Sequence, residues 1–538
     1  MQSITNLSGT DTFETWFNRT NTIIGELNKA NPRLISVRDY GATGDGVTDD
    51  TAGISAALTA LNGLCGGVLY FPKGNYLLTG TGPRFNRQIE RVMTRPFHIM
   101  GDQARIVCGT TAEYMWYISN AGHDFNISGI QFDGNNKALA CLRIEDSEGS
   151  TGTIQVDRCG FFNTFSGGDL PGGSVLGNVG LLISGSKYVN LTNSQIVNHS
   201  RANGVGVAGS AGTLGAGIVR SGNGYPKHVN VSGCYFENVT SGWTQGSGNA
   251  DCDCLSIFGY LGANESLTGI TFNDSTATIT NNHFRNCKGR SIKIQNDRSI
   301  IANNTFYKNI LGIEGGGTDV NAQFVVGQIY NNNFYYEPTS TGLNPFRQNG
   351  SPDVFVNGNP QGHACISFYN GTNIRRTRSY TVSGNQVINA VPKSLGVPLS
   401  FVTVSRGQTN ASGPLFFTAT DNKIIGPLQF FGNVTTHDHR LDRAADAAPT
   451  FYTFTNNMVE QLTDNYTPGR TFGWLWSADF FSATMNNFSL INNVNGTTGA
   501  TADILYTSSV FKGAGPLSQW NLLTGGATAH KINNYKIN

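Results

Sequence analysis

Candidate chemistry concentrates in Asn249-Ala250-Asp251-Cys252-Asp253-Cys254-Leu255-Ser256-Ile257. Asp251 and Asp253 stand two apart, so on a strand their carboxyls share one face. Glycosidic hydrolysis needs two carboxyl groups, one kept protonated by its surroundings, at roughly 5–9.5 Å. Residues two apart in one strand, or side by side on stacked strands, supply that spacing. Arg290 and Lys293 follow in Arg290-Ser291-Ile292-Lys293-Ile294, and Glu314 closes Leu311-Gly312-Ile313-Glu314. Carboxylates beside such cations could bind acidic sugars or hold two carboxyl pKa values apart. Asp253, Asp251, Glu314 and Lys293 are therefore the catalytic candidates, with Arg290 and Asp297 as substrate contacts. Trp243 and Tyr260 offer rings that stack on sugars or pack on their own loops. The competing account of Asp251 and Asp253 is that they bond backbone amides of a turn. Glu145-Asp146 reads as a solvated turn, and His437-Asp438-His439 as a polar loop. Cys252-x-Cys254 lacks the second ligand pair of a zinc site. Calcium on Asp251, Asp253 and Asp297 is not demanded by any spacing, so no metal or cofactor is expected.

These residues need a scaffold that brings distant segments together, and an internal repeat supplies one. Apolar residues five apart bracket an Asn or Gly, from Ile127/Phe132 through Ile279/Phe284, Ile301/Phe306 and Ile329/Phe334 to Ala483/Phe488 and Ile532/Ile537. Steps between first members run from 22 (301 − 279) to 53 (382 − 329). The lower value is about one coil of a parallel β-helix, and longer steps imply projecting loops. Asn-Asn pairs at 281–282, 303–304, 456–457, 486–487 and 533–534 suit tight turns, because Asn tolerates the left-handed region and can ladder with the next coil. A second strand reads as Leu142-Arg143-Ile144, Leu181-Leu182-Ile183, Gly217-Ile218-Val219, Leu255-Ser256-Ile257, Ile292-Lys293-Ile294, Leu311-Gly312-Ile313 and Ile366-Ser367-Phe368. Flanking residues point inward and the middle one outward. This alignment puts Ser256, Lys293 and Gly312 in one outer row, Arg290 over Asp253, and Glu314 in line with Gln295. Twelve rungs at ~4.8 Å make a rod of roughly 58 Å.

The rod's open end must be covered. Val37 to Tyr40 runs into a turn with Gly41, Gly44 and Gly46; Asp49 or Asp50 can cap a helix striped by Ile54, Ala57, Leu58 and Leu61; and Gly63 ends it. Val68 to Phe71 is a buried strand closed by Pro72 and Gly74. Residues 34–80 closely resemble the start of pectate-lyase-like right-handed parallel β-helices, especially those of phage tailspikes. The resemblance implies an all-β, single-stranded right-handed parallel β-helix with a short N-terminal helical leader and a capping helix. It also implies a homotrimer, although no globular C-terminal assembly domain is visible. Cys252-Asp253-Cys254-Leu255-Ser256-Ile257 is similar to the Asp-Asp-Cys-Ile-x-Ile segment of polygalacturonase-type glycoside hydrolases, and Ser291-Ile292-Lys293 to their Arg-Ile-Lys. Only Asp253 and Lys293 carry over. Cys252 stands where the first Asp would be, and Gly362-His363-Ala364 is far from the position of that family's Gly-His-Gly.

Composition agrees with a turn-rich solenoid: 67 Gly, 11% aromatic and 13% charged residues among 538. A net charge of +1 favours neither nucleic acid nor an anionic membrane as partner. No apolar run reaches the ~18 residues of a membrane span. Without a basic-then-apolar N-terminal segment, Sec export is not expected. Cys141, Cys159, Cys234, Cys287 and Cys365 lie in apolar strand contexts and read as reduced, buried thiols. The expected division is a leader helix in 1–33, the cap in 34–80, the main β-helix with projecting loops in 81–395, and a β-rich C-terminal region in 396–538. The leader carries an apolar stripe from Phe13 to Leu27, suited to docking on a virion tail or baseplate protein. The expected function is a tailspike in the virion tail that binds and hydrolyses a bacterial surface polysaccharide. A polysaccharide lyase, a non-catalytic receptor-binding fibre and a cellular pectinase-like enzyme are the alternatives.

Overall fold

A computed structural model describes residues 34–64, 66–80, 87–119, 123–146, 152–165, 178–201, 213–219, 221, 226–241 and 252–258. It further describes 275–287, 289–309, 311–317, 326–336, 364–370, 378–390, 400–406, 415–425, 429–435, 450–460, 475–477, 486–491, 494–495, 505–507, 528–532 and 535–536, with Asn18 and Thr20. The leader stripe otherwise lies outside the described residues.

Each full coil consists of three strands, and every pairing between coils is parallel. In one coil they are Tyr188–Thr192, Gln195–Arg201 and Thr213–Val219; the next repeats them as His228–Ser232, Tyr235–Ser241 and Cys252–Phe258. The first two strands of all coils merge across a sharp bend into a 28-stranded sheet, and the third strands form a 13-stranded sheet. The architecture is a right-handed parallel β-helix. Its core is a column of inward residues from successive coils, with Phe236, Phe284, Phe306 and Phe334 stacked at 4.6–5.1 Å between centroids.

The bend between the first two strands explains the Asn-Asn signature at 281–282, 303–304 and 456–457, whereas Asn486 and Asn487 begin the strand Asn486–Ile491 and are not a turn, and 533–534 lie outside the described residues. The first residue takes positive φ: Asn281, Asn303, Asn331 and Asn456 lie between 54° and 58°. The second is buried and laddered. Asn304 Nδ2 donates to Asn332 Oδ1 at 3.0 Å, Asn332 to Asn385 at 3.0 Å, Asn385 to Asn422 at 3.0 Å and Asn422 to Asn457 at 2.9 Å. Each amide also bonds a carbonyl of a neighbouring coil, as Asn332 Nδ2 bonds Ile301 O at 2.9 Å. The buried corner amides of this ladder are thereby satisfied, as a bent backbone inside an apolar stack requires.

The open end is covered as expected. The helix Thr51–Gly63 buries Ile54, Ala57, Leu58 and Leu61 against the first coil. Asp49 Oδ1 accepts from Thr51 N–H at 3.1 Å at the helix start. Asp50 instead ties down the glycine turn, accepting from Thr43 N–H at 2.6 Å and Leu77 N–H at 3.1 Å.

Three register expectations need correction. Leu181 faces Ala216 rather than Gly217, and Ile292 faces Ile313 rather than Leu311. In both, a residue without bulk (Ala216, Gly315) fills an inward slot, so no large apolar residue marks it in the sequence. In the last coils Leu490 and then Lys531 stand in line with Phe454, so Phe488 and Ile532 fall in other rows than expected, while Ala483 and Ile537 lie outside the described residues. Cys287 is likewise not a free thiol. It bonds Cys254, because the corner before its strand faces the inward side of the preceding coil at a Cα separation of 6.6 Å. Cys108, Cys159, Cys234 and Cys365 are free, and burial pushes their thiols up to about 12.

Candidate functional site

The outer face of the 13-stranded sheet carries Asp253, Arg290, Lys293 and Glu314 of the sequence-predicted residues. Its central row runs Glu90, Tyr117, Arg143, Leu182, Gly217, Ser256, Lys293, Glu314, Ser367, Thr403, one residue per coil. A parallel row holds Tyr114, Ala140, Val179, Leu214, Asp253, Arg290 and Leu311. Glu314 thus stands beside Lys293, not beside Gln295, a consequence of the two-residue correction above. The Ser256–Lys293–Gly312 row is really Ser256–Lys293–Glu314.

Three successive coils converge at Arg290. Its Nε donates to Asp253 Oδ1 at 2.6 Å and its Nη2 to Asp253 Oδ2 at 3.3 Å. Its Nη1 donates to Glu314 Oε1 at 2.8 Å, so one guanidinium holds two carboxylates on different edges. The planar fork of Arg makes this possible where Lys would not. Ser256 Oγ donates to Asp253 Oδ2 at 3.4 Å. The acid side chains retain 2% exposure and that of Arg290 14%. Glu314 Oε2 is buried and has no hydrogen-bond partner among the described residues. Both Asp253 oxygens are engaged, whereas Glu314 keeps one oxygen for a further bond. Among the described residues the Asp253 carboxylate bonds side chains and not turn amides, unlike the competing Asx account.

Lys293 is buried, with Nζ 5.3 Å from the centroid of the Phe258 ring. Asp297 sits at the coil corner, past the strand Arg290–Gln295. Its N–H bonds Ser275 Oγ at 3.0 Å and its carbonyl accepts from Val326 N–H at 2.8 Å. It belongs to the corner and not to the wall beside Arg290. Asp251, Trp243 and Tyr260 lie outside the described residues.

A second polar group on the same wall escaped the sequence reading. Glu145 is not a solvated turn residue: Tyr117 Oη and Ser221 Oγ (2.8 Å) donate to it, and Arg143 Nη2 pairs with it at 3.0 Å. Asp146 is buried, its N–H bonded to Ser184 O at 2.7 Å. Arg143 Nη1 also bonds Tyr114 Oη at 2.7 Å, and Arg87 lies 4.0 Å over the Tyr117 ring. Burial and the Glu145 carboxylate push the Tyr117 phenol up to about 12. Burial disfavours the Glu145 charge, but Tyr117, Arg143 and Ser221 outweigh it and hold this carboxyl below its usual value. The available signal was Arg143 itself, the middle of Leu142-Arg143-Ile144, in the same outer position as Lys293.

Residues 34–252 match the family model described as Rhamnogalacturonase A/epimerase, pectate lyase-like. Alginate lyase 7 of Azotobacter vinelandii is 32% identical over 109 residues, 19% of this chain and 12% of that protein. Plasmin and fibronectin-binding protein A of Streptococcus pneumoniae is 24% identical over 318 residues, 54% of this chain and 42% of that protein. The chain therefore spans less than half the length of these curated relatives. Among solved structures, bacteriophage CBA120 tailspike protein 3 is similar over 96% of this chain and 63% of that one, with 11% identity and a TM-score of 0.46.

Proposed function

We propose that this chain binds a bacterial surface polysaccharide on the outer wall of the 13-stranded sheet and cleaves it by hydrolysis between Asp253 and Glu314. The observation that carries the reading is the convergence of these two carboxylates, from coils two apart, on Arg290. The pectate-lyase-like match of residues 34–252 supports a polysaccharide as substrate class.

In this reading Glu314 acts as the acid through Oε2, which has no hydrogen-bond partner among the described residues, and gives a proton to the glycosidic oxygen. Asp253 accepts through Oδ2, whose bonds to Arg290 and Ser256 are long, and takes a proton from the attacking water. The C–O bond to the leaving sugar breaks, a C–O bond to water forms, and one new reducing end results. Arg290 holds the acids in place, and Lys293 in the adjacent position stabilises negative charge on Glu314 once its proton has left.

The chain's cap resembles that of tailspikes, and we extend the reading to a phage tail. Residues 1–33 attach to a virion tail or baseplate protein, 34–80 close the end, 81–395 carry the wall and 396–538 serve trimerisation. The working place is then the bacterial surface. Asp253→Asn and Glu314→Gln should each cut reducing-end release from the host's surface glycan by about 10²–10⁴-fold with unchanged circular dichroism. Wild-type-like release by both variants removes these residues from the chemistry. An unsaturated, ultraviolet-absorbing product would favour β-elimination, and no product at all a receptor-binding fibre.

A further inference from the structure

The wall holds a second cluster, on the N-terminal coils, that the cleavage step does not use. Glu90, Tyr117 and Arg143 occupy the same central row as Ser256, Lys293 and Glu314. From Arg143 to Ser256 is three rungs, about 14 Å. The floor between them is apolar: Val179 and Leu182 are buried with Tyr114 in a cluster separate from the main core, and Leu214 and Val219 pack on it. A polar cluster, an apolar floor and the acid pair therefore lie in line along the axis of the rod.

Three features of the N-terminal cluster point to a ligand. Its charged side chains reach solvent, Arg87, Glu90, Arg143 and Glu145 at 16–20% exposure, against 2% for Asp253 and Glu314. Its network is incomplete: Glu90 Oε2, Arg87 Nε and Arg143 Nε are buried atoms with no hydrogen-bond partner among the described residues. Unsatisfied buried donors and acceptors are the exception in a folded protein. Finally, its charges cancel, with Arg87 paired to Glu90 at 2.6 Å and Arg143 to Glu145 at 3.0 Å. A net-neutral group whose guanidiniums and carboxylates reach solvent does not select an anion. It matches hydroxyl groups, each of which donates and accepts, presented on a ring whose apolar face meets Tyr117 and the floor.

We infer that Arg87, Glu90, Tyr117, Arg143 and Glu145 form a binding station for an uncharged sugar unit of the same polysaccharide, which lies along the rod axis from this station to the acid pair. The inference rests on the reading of the wall as a polysaccharide track. It makes the substrate one with neutral hydroxyl-rich units at this distance from the cut, and it makes chain length a determinant of affinity.

The test uses the full chain carrying Asp253→Asn and an array of neutral and acidic bacterial oligosaccharides of graded length. Retained glycans should include neutral ones, with affinity rising with length. Adding Arg143→Gln should weaken long neutral ligands at least tenfold and leave the shortest bound ones unchanged. Tyr117→Phe keeps the packing and removes only the hydroxyl, so a several-fold loss on long ligands should follow even if Arg143→Gln folds poorly. Unchanged long-ligand affinity in folded Tyr117→Phe and Arg143→Gln chains overturns the station, while wild-type cleavage of the retained glycans would leave the acid pair standing. Retention of acidic glycans alone also overturns it. No retained glycan and no cleavage by wild type removes the track reading and the station together.

Discussion

His199 is wholly buried in the coil stack, and its partners fix its state. The Phe161 carbonyl can only accept, so Nε2 carries the proton at 3.1 Å, and Nδ1 accepts from Thr164 Oγ1 at 3.1 Å. Burial holds this imidazole neutral down to about 4, against an ordinary value of 6.5. Because the folded value is the lower one, the unfolded chain binds the proton first as pH falls. Stability is full above about 6.5 and is lost towards 4, by roughly 3 kcal/mol at 1.36 kcal/mol per unit. Urea unfolding at about pH 7 and about pH 4 should show this loss, and His199→Gln should remove that part of it. A variant with the same pH slope as wild type would place the acid sensitivity elsewhere. At this scale the sequence was legible where both inward slots of a strand were bulky. Leu255-Ser256-Ile257 over Ile292-Lys293-Ile294 placed Arg290 on Asp253 correctly. Gly315 opposite Ile294 hid the right row for Glu314, and the pairing of Lys293 with Glu314 was missed.

Two adjacent asparagines at one coil bend hold different jobs, and substitutions should separate them. Asn332 accepts from the Asn304 N–H and side chain, and donates to Ile301 O and Asn385 Oδ1, all at 2.9–3.0 Å. Asn332→Ala strips these bonds from buried groups, a cost on the order of 3 kcal/mol. Asn331 needs only its φ of 55°, so Asn331→Ala costs about 1–2 kcal/mol and Asn331→Gly close to nothing. Denaturant midpoints should rank the three in that order; equal losses at both positions would contradict the ladder. The Asn-Asn repeat made this element readable because the ladder demands one residue type at a fixed offset from two apolar anchors. The disulfide was not readable, since Cys254 and Cys287 are 33 residues apart and meet only once the coil length is known. On the chain-entropy account such a loop contributes roughly 3–4 kcal/mol. Cys254→Ser should therefore lower the thermal midpoint, and dithiothreitol should lower that of wild type but not of the variant. Equal sensitivity to reductant in both would place the effect elsewhere.

At the scale of the whole molecule, the rod turns sequence distance into lateral spacing. Asp253 and Glu314 are 61 residues apart (314 − 253) yet bond one guanidinium, and Glu90 stands in the same row as Glu314. The repeat made this stacking legible, because a column of apolar residues needs the same spacing in every coil. The insertions between coils carry no such period, so Asp251, Trp243 and Tyr260 had no register to fix them. Specificity does not follow from a fold. The central claim is that this wall cuts its glycan by hydrolysis, and the direct measurement is digestion of the host surface polysaccharide in ¹⁸O-labelled water with mass spectrometry of the products. One solvent oxygen should enter per cut, with saturated products, and this should disappear in Asp253→Asn. Unlabelled, dehydrated products, or labelled products released equally by Asp253→Asn, would contradict it.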